Sequence, residues 1–273
     1  MSLEVPALNE ALTYLSECAL SHGFNVEAHE SDGLLLTLDV PHVDGIRLQY
    51  RVLVNADGSY LRAREDPLSR RLPEFCPERH IVDDGSFCMY WPGELSFAVT
   101  DPTSAGNWLN LLLNFLRLQR RAAKQRRWPN LETWAHGNAA AAHQFRAERA
   151  AEKLGPELKS AIEARNLKAS RDSDGTLRVL IGGQPLFSVW RSPNRFDRRG
   201  HRLTCACEFG SNGKRNTSHG RRTKLLEEMA HALVMWEANE NLFWTYHQDR
   251  ACCGTIENCP LRKNSGGNDG NTI

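Results

Sequence analysis

The sequence predicts an α+β chain in two domains, and three observations lead to that class. Apolar residues recur at helical spacing near the start. Short alternating runs separated by Asp-Gly turns follow. After residue 137 the composition shifts to an alanine-rich stretch, further short runs and a last apolar-striped helix. The expected boundaries are 1–137 for the first domain, 138–262 for an α+β accessory domain and 263–273 for a disordered, glycine- and asparagine-rich tail. A chain of 273 residues is long for one core, which suits this division.

The elements of the first domain follow in order. Leu8, Leu12, Leu15, Ala19 and Leu20 form an amphipathic helix, and Gly23 stops it. Runs from Phe24, from Leu34 to Val40, from Ile46 to Val54 and from Tyr60 to Ala63 alternate. The turns Ser31-Asp32-Gly33, Val43-Asp44-Gly45 and Ala56-Asp57-Gly58 separate them, so they read as an antiparallel meander. Asp101-Pro102-Thr103-Ser104 can cap a helix whose stripe is Trp108, Leu111, Leu112, Phe115, Leu116 and Leu118. Its end carries Arg117, Arg120, Arg121, Lys124, Arg126 and Arg127, which suit a helix C-terminus and a solvated face. A docking surface for an acidic partner is the sharper alternative.

Composition restricts the function. A net charge of +1 argues against the whole molecule being a nucleic-acid or membrane binder. No apolar run approaches the ~20 residues of a membrane span. The start MSLEVPALNEAL lacks a basic region followed by an apolar core, so no signal peptide is expected. Eight cysteines without a secretory signal point to free thiols or a metal site in a reducing cytoplasm.

Chemistry concentrates between the meander and the second helix, in LPEFCPERHIVDDGSFCMYW from Leu72 to Trp91. Pro73 and Pro77 impose an extended path, and Asp83-Asp84-Gly85 turns the chain into Phe87-Cys88-Met89. Cys88 therefore sits on an irregular segment with His80 eight positions earlier, a setting in which thiolate chemistry is staged. For a lone cysteine, an inert buried thiol is the plainer reading. Asp83 and Asp84 would raise the thiol pKa if close. They suit a turn, or the positioning and deprotonation of an incoming lysine, better than activation of the sulfur. His80 suits a loop brace or a base, the brace being preferred.

Helix, meander, proline-punctuated segment, Glu78-Arg79-His80, Gly85-Ser86-Phe87-Cys88 and a helix after Trp91-Pro92 together resemble a ubiquitin-conjugating (E2) domain. The stretch from Leu72 to Gly137 is most similar to the bacterial E2-like proteins of antiphage defence islands. These include the stand-alone E2 proteins encoded beside cyclic-oligonucleotide synthases (CBASS) and the E2 components of bacterial ubiquitin-like operons. The resemblance implies a UBC-like fold, Cys88 as thioester cysteine and His80 as the histidine of the family's His-Pro-Asn motif. It also implies a cGAS-like nucleotidyltransferase or a ubiquitin-like protein as the acyl donor or target, with an E1-like enzyme as a further partner. No cofactor is implied for the transfer step. Ile81-Val82 stand where that motif has Pro-Asn, so the oxyanion donor would be backbone N–H groups from Gly85 to Cys88, or His80.

In the accessory domain Ala139 to Leu154 form a helix ending at Gly155, and Pro156 opens another to about Arg165. Leu167 to Ser170 and Thr176 to Ile181 form a hairpin, Leu186 to Trp190 and His201 to Phe209 add strands, and Leu225 to Trp244 form the last helix. Cys205, Cys207, Cys253 and Cys259, with His219 and His247 nearby in sequence, are the candidate ligands of a structural zinc. Unligated, strand-alternating thiols fit the spacing equally well, and a regulatory disulfide less well. Arg191, Arg195, Arg198, Arg199, Arg202, Lys214, Arg215, Arg221 and Arg222 form a basic cluster that reads as a solvated loop or an acidic-partner surface, nucleic acid included.

Two functions of different class emerge. One is an E2-like transferase that accepts a protein C-terminus on Cys88 and passes it to a lysine in antiphage defence. The other is a non-catalytic E2-like scaffold with a zinc-stabilised adaptor, kept open by the missing Pro-Asn. A cysteine hydrolase is a third, with His80 as its one visible base.

Overall fold

The computed structural model describes residues 8–30, 33–57, 60–91, 98–129, 134–189, 203–205 and 217–262. The chain divides into two units, one comprising the residues up to Asn130 together with those from Gln248, the other Leu131–His247.

In the first unit, helix α1 (Leu8–Ala19) buries Ala11, Leu12, Leu15 and Ala19, the i, i+4 row that the sequence spacing supplies. A 3-10 turn, Leu20–His22, continues it. Gly23 at φ 81° then ends it, its N–H bonding to the Leu20 carbonyl at 3.1 Å in a conformation a side chain would disfavour. Strands β1 (Phe24–Glu30), β2 (Gly33–Pro41), β3 (Arg47–Asp57) and β4 (Tyr60–Glu65) pair antiparallel in sequence order. The expected meander is therefore observed, the fourth strand included.

Register explains which face is buried. Leu34 pairs with Val54, Leu36 with Val52 and Leu38 with Tyr50, and all six are buried. On the other side of β3, Val54 pairs with Ala63, and Leu61 is buried two residues along β4. A strand period of two puts these side chains on one face. Helix α2 (Pro102–Gln125) supplies Ala105, Trp108, Leu109, Leu112, Phe115 and Leu116 to the same core. Its start is a capping box: Asp101 accepts the Ser104 N–H at 2.8 Å, and the Ser104 hydroxyl accepts the Asp101 N–H at 3.0 Å. Near its end, Arg120 bonds Asp44 of the β2–β3 turn at 2.7 Å and Lys124 bonds the same carboxylate. These contacts hold the Asp44 carboxyl well below the usual carboxylate range. Part of the basic helix end is thus paired internally.

The second unit contains α3 (Asn138–Leu154), α4 (Pro156–Glu163), the strands β5 (Leu167–Arg171), β6 (Leu177–Ile181), β7 (Gln184–Val189) and β8 (Leu203–Cys205), and α5 (Thr217–Tyr246). The strands form a second antiparallel sheet in sequence order. Its core joins Ala140, Ala147, Ala150 and Leu154 of α3, Met229, Leu233 and Trp236 of α5, and Val179, Phe187 and Val189 of the sheet. Small side chains on α3 let α5 approach closely, which is the structural use of the alanine-rich run.

The sequence assigns residues 248–262 to the accessory domain and runs the first to 137; by packing, residues 248–262 group with the first unit, which the chain leaves at Asn130. Contacts made by side chains far apart in sequence hold the returning stretch: Arg79 Nη1 donates to Thr255 Oγ1 at 3.2 Å, and Arg126 pairs with Glu257 at 2.9 Å. The Glu257 N–H also bonds the Arg126 carbonyl at 2.6 Å. The expected tail, 263–273, lies outside the described residues.

Candidate active site around Cys88

The segment from Leu72 to Trp91 has little regular structure, so each turn of it needs its own anchor. Glu65, at the end of β4, fixes the entrance by accepting the N–H groups of Arg71 at 2.9 Å and Leu72 at 2.7 Å. Burial pushes its carboxyl above the usual range, outweighing those two bonds.

Next comes a closed loop. Cys76 and Ile81 exchange both backbone bonds, at 3.0 and 3.1 Å, around a 3-10 turn at Pro77–Arg79. His80 closes the turn at φ 56°, a left-handed conformation uncommon outside glycine, and its N–H reaches the Pro77 carbonyl at 2.7 Å. The buried Arg79 clamps this turn to α2. Its guanidinium donates to the Gln119 side chain at 2.9 Å and backbone carbonyl at 3.1 Å, while Gln119 Nε2 returns a bond to the Arg79 carbonyl at 2.8 Å. That reciprocity satisfies a cation taken out of water.

Cys88 is held by backbone. Its N–H donates to the His80 carbonyl at 2.8 Å, and the preceding Phe87 N–H donates to Ala63 of β4 at 2.8 Å. Below it, Phe87 stacks on Phe115 with centroids 4.8 Å apart, and Trp128 lies 5.9 Å from Phe115. The His80 ring meets Trp128 edge-on at 4.9 Å and is buried. Beyond Cys88, the Tyr90 hydroxyl donates to the Leu61 carbonyl at 2.7 Å. Cys88 as a residue is half-buried, yet its sulfur is desolvated, and burial pushes the thiol up to about 11.

Asp83 and Asp84 are exposed at the tip of the turn. Asp84 Oδ1 accepts the Ser86 N–H at 2.8 Å, and Oδ2 meets Arg62 at 3.3 Å. Burial raises its pKa, but the Ser86 bonds and the Arg62 charge leave it below the ordinary value. Gly85 completes the turn at φ 79°. Asp83 lies 3.9 Å from Arg250, whose guanidinium also covers the Phe75 ring at 4.9 Å.

Of the expected oxyanion donors, the N–H groups from Gly85 to Cys88 each have an acceptor in this structure, and His80, the alternative, packs its ring on Trp128. Gly85 bonds Val82 at 3.0 Å, Ser86 bonds Asp84, Phe87 bonds Ala63 and Cys88 bonds His80. Tight turns close themselves with the groups an oxyanion would need.

Of the expected zinc ligands, Cys253 and Cys259 have described side chains. Cys205 lies on β8 with its side chain undescribed, and Cys207 is outside the described residues, as are Arg191, Arg195, Arg198, Arg199, Arg202, Lys214 and Arg215 of the basic cluster. His219 and Arg221 lie on α5 with their side chains undescribed. His247 is buried in the second unit, its ring against Phe243 at 4.5 Å and Tyr246 at 4.9 Å. Cys253 and Cys259 lie in the returning stretch of the first unit. Burial pushes the Cys259 thiol up to about 12, and Cys252 beside it adds to the effect. Among the described residues no group of three or more His, Cys, Asp or Glu is set to hold a metal ion.

Sequence reasoning missed Cys76. Its Sγ lies 2.7 Å from Cys253 Sγ, across 177 residues of chain. Cys253 also meets Thr255 Oγ1 at 3.1 Å. The bond from Cys76 holds the Cys253 thiol well below its ordinary value and drives Cys76 in the opposite direction. No spacing rule could have found a pair that joins the two ends of the unit.

Residues 22–130 match the family model of a prokaryotic E2 domain, and residues 135–261 match that of a cysteine-rich domain C-terminal to an E2 domain. No curated protein and no solved structure gives a match.

Proposed function

Because the chain belongs to the bacterial E2-like proteins, with a prokaryotic E2 domain followed by a cysteine-rich domain, we propose that it is a cysteine acyltransferase working through Cys88. The Cys88 thiol loses its proton as its sulfur attacks the activated C-terminal carbonyl of a partner protein, and the C–S bond forms while the donor's leaving group departs with that proton. A lysine amine then attacks the thioester, the C–N bond forms, and the Cys88 thiolate leaves and regains the proton the amine releases. The observation that carries this reading is the position of Cys88, half-buried at the end of a segment braced by Glu65, Arg79, Gln119 and Phe115.

Burial holds the Cys88 thiol protonated in the resting protein, so the donor's leaving group takes its proton as the sulfur attacks. His80 is the loop brace in this reading, through its carbonyl on the Cys88 N–H and its ring on Trp128. The acyl donor is a cGAS-like nucleotidyltransferase or a ubiquitin-like protein, activated by an E1-like enzyme, in cytoplasmic antiphage defence. No helix among the described residues is long and apolar enough to cross a membrane.

A second reading has its own support. With the N–H groups from Gly85 to Cys88 committed and Pro-Asn absent after His80, a non-catalytic E2-like scaffold accounts for the same fold. Incubation with the products of neighbouring genes, followed by a non-reducing gel, separates the two. The transferase gives a thiol-labile adduct that Cys88→Ala lacks. A stable complex with no adduct, or an adduct surviving Cys88→Ala, would overturn the transferase reading.

A further inference from the structure

A second thiol site lies in the same unit. Cys76 is buried at the base of the loop that carries His80, and Cys253 is half-buried in the stretch returning from Gln248. Both are free thiols with their sulfurs 2.7 Å apart. Tetrahedral zinc thiolates, at Zn–S distances of about 2.3 Å, stand roughly 3.8 Å from one another. A disulfide needs about 2.05 Å. The pair is therefore nearer to the covalent distance than to the metal-bridged one, and Cys253 is only partly buried.

We propose that Cys76 and Cys253 are a dithiol oxidation site, closed by a small hydroperoxide into a disulfide that ties the returning stretch to the turn beneath Cys88. The half-buried Cys253 thiolate attacks the terminal peroxide oxygen. The O–O bond breaks, the alkoxide or hydroxide leaves and takes up a proton from water, and Cys253 becomes a sulfenic acid. Cys76 then attacks that sulfur. The S–O bond breaks, the S–S bond forms, and the Cys76 proton leaves with the hydroxyl as water. Two thiols are oxidised by two electrons and one peroxide is reduced.

The consequence reaches Cys88 through bonds already described. Cys76 holds Ile81 by two backbone bonds, Ile81 bridges to Phe87, and the His80 carbonyl between them takes the Cys88 N–H. On the other side, Arg79–Thr255 and Arg126–Glu257 are polar contacts that open and close, whereas a disulfide would not. Oxidation would thus fix the returning stretch against the catalytic segment without using Cys88. This inference stands whether or not Cys88 carries an acyl group.

The test uses the full chain, reduced and then treated with hydrogen peroxide, and maps cross-linked peptides by mass spectrometry without reduction. The expected product is a Cys76–Cys253 peptide, reversed by dithiothreitol. Amide exchange in residues 248–262 should also slow by about tenfold or more on oxidation. Cys76→Ser should stop at a sulfenic acid on Cys253, trapped by a cyclic dione. Because the wild-type map needs no variant, misfolding of that variant would leave the test intact. The inference is overturned if the thiols stay reduced, if Cys253 pairs with another cysteine, or if the protein holds one equivalent of zinc that shields both thiols from peroxide.

Discussion

Cys88 and Cys253 lie in the same unit, and both are half-buried, yet their surroundings set them apart. Cys88 is held by main chain: its N–H is tied to His80, its neighbour Phe87 is tied to β4, and burial alone pushes its thiol up. Cys253 is held by side chains from a distant part of the sequence, and the bond from Cys76 pulls its thiol down. Half-burial of the residue therefore does not fix the thiol's ionisation: desolvation raises Cys88, whereas the shared hydrogen bond lowers Cys253 and raises Cys76.

The largest effect expected from this contrast is on transfer. Cys88→Ala should abolish the thiol-labile adduct, a loss of at least about 100-fold, whereas Cys253→Ser under reducing conditions should keep it within about threefold. A quantitative non-reducing gel reads both. Equal losses would erase the distinction between the two sulfurs. Next is Phe115→Ala, which removes the ring under Phe87 and leaves a cavity in the core of the first unit. Destabilisation of about 3–5 kcal/mol is expected in urea unfolding, with loss of the adduct at temperatures where the wild type still forms it.

The pH dependence comes third. A thiol raised to about 11 is protonated at neutral pH, so its thiolate fraction grows as pH rises toward that value. Alkylation of Cys88 by iodoacetamide should climb about tenfold per pH unit between roughly 7 and 10. A plateau already reached at neutral pH would mean that the sulfur has an activating partner after all.

How much of this was legible depends on the range of the interaction. Local patterns placed α1, its stop at Gly23, the β1–β4 meander, the Asp101 cap and the alanine-rich α3, because spacing, turn residues and capping chemistry act over a few positions. The position of Cys88 beyond an Asp-Gly turn was legible for the same reason. The left-handed His80, the Arg79–Gln119 clamp and the Cys76–Cys253 pair were not, since each depends on residues brought together by the finished fold. The return of the chain at Gln248 was hidden too, for the stretch has no apolar period of its own and is held by single side chains such as Thr255 and Glu257.

The smallest effect expected is at Asp84, and it decides what that carboxylate does. One oxygen receives the Ser86 N–H and the other meets Arg62 at the exposed tip of the turn. An exposed ion pair of that kind contributes little, so most of its value lies in the backbone bond. Asp84→Asn keeps an oxygen for the Ser86 N–H and should slow adduct transfer to lysine by no more than about threefold. Asp84→Ala removes that acceptor, frees the N–H and should cost more than the asparagine variant, in transfer and in thermal stability together. If asparagine instead loses transfer as badly as alanine while melting like the wild type, the charge itself is needed. Asp84 would then handle the incoming lysine's proton rather than shape the turn.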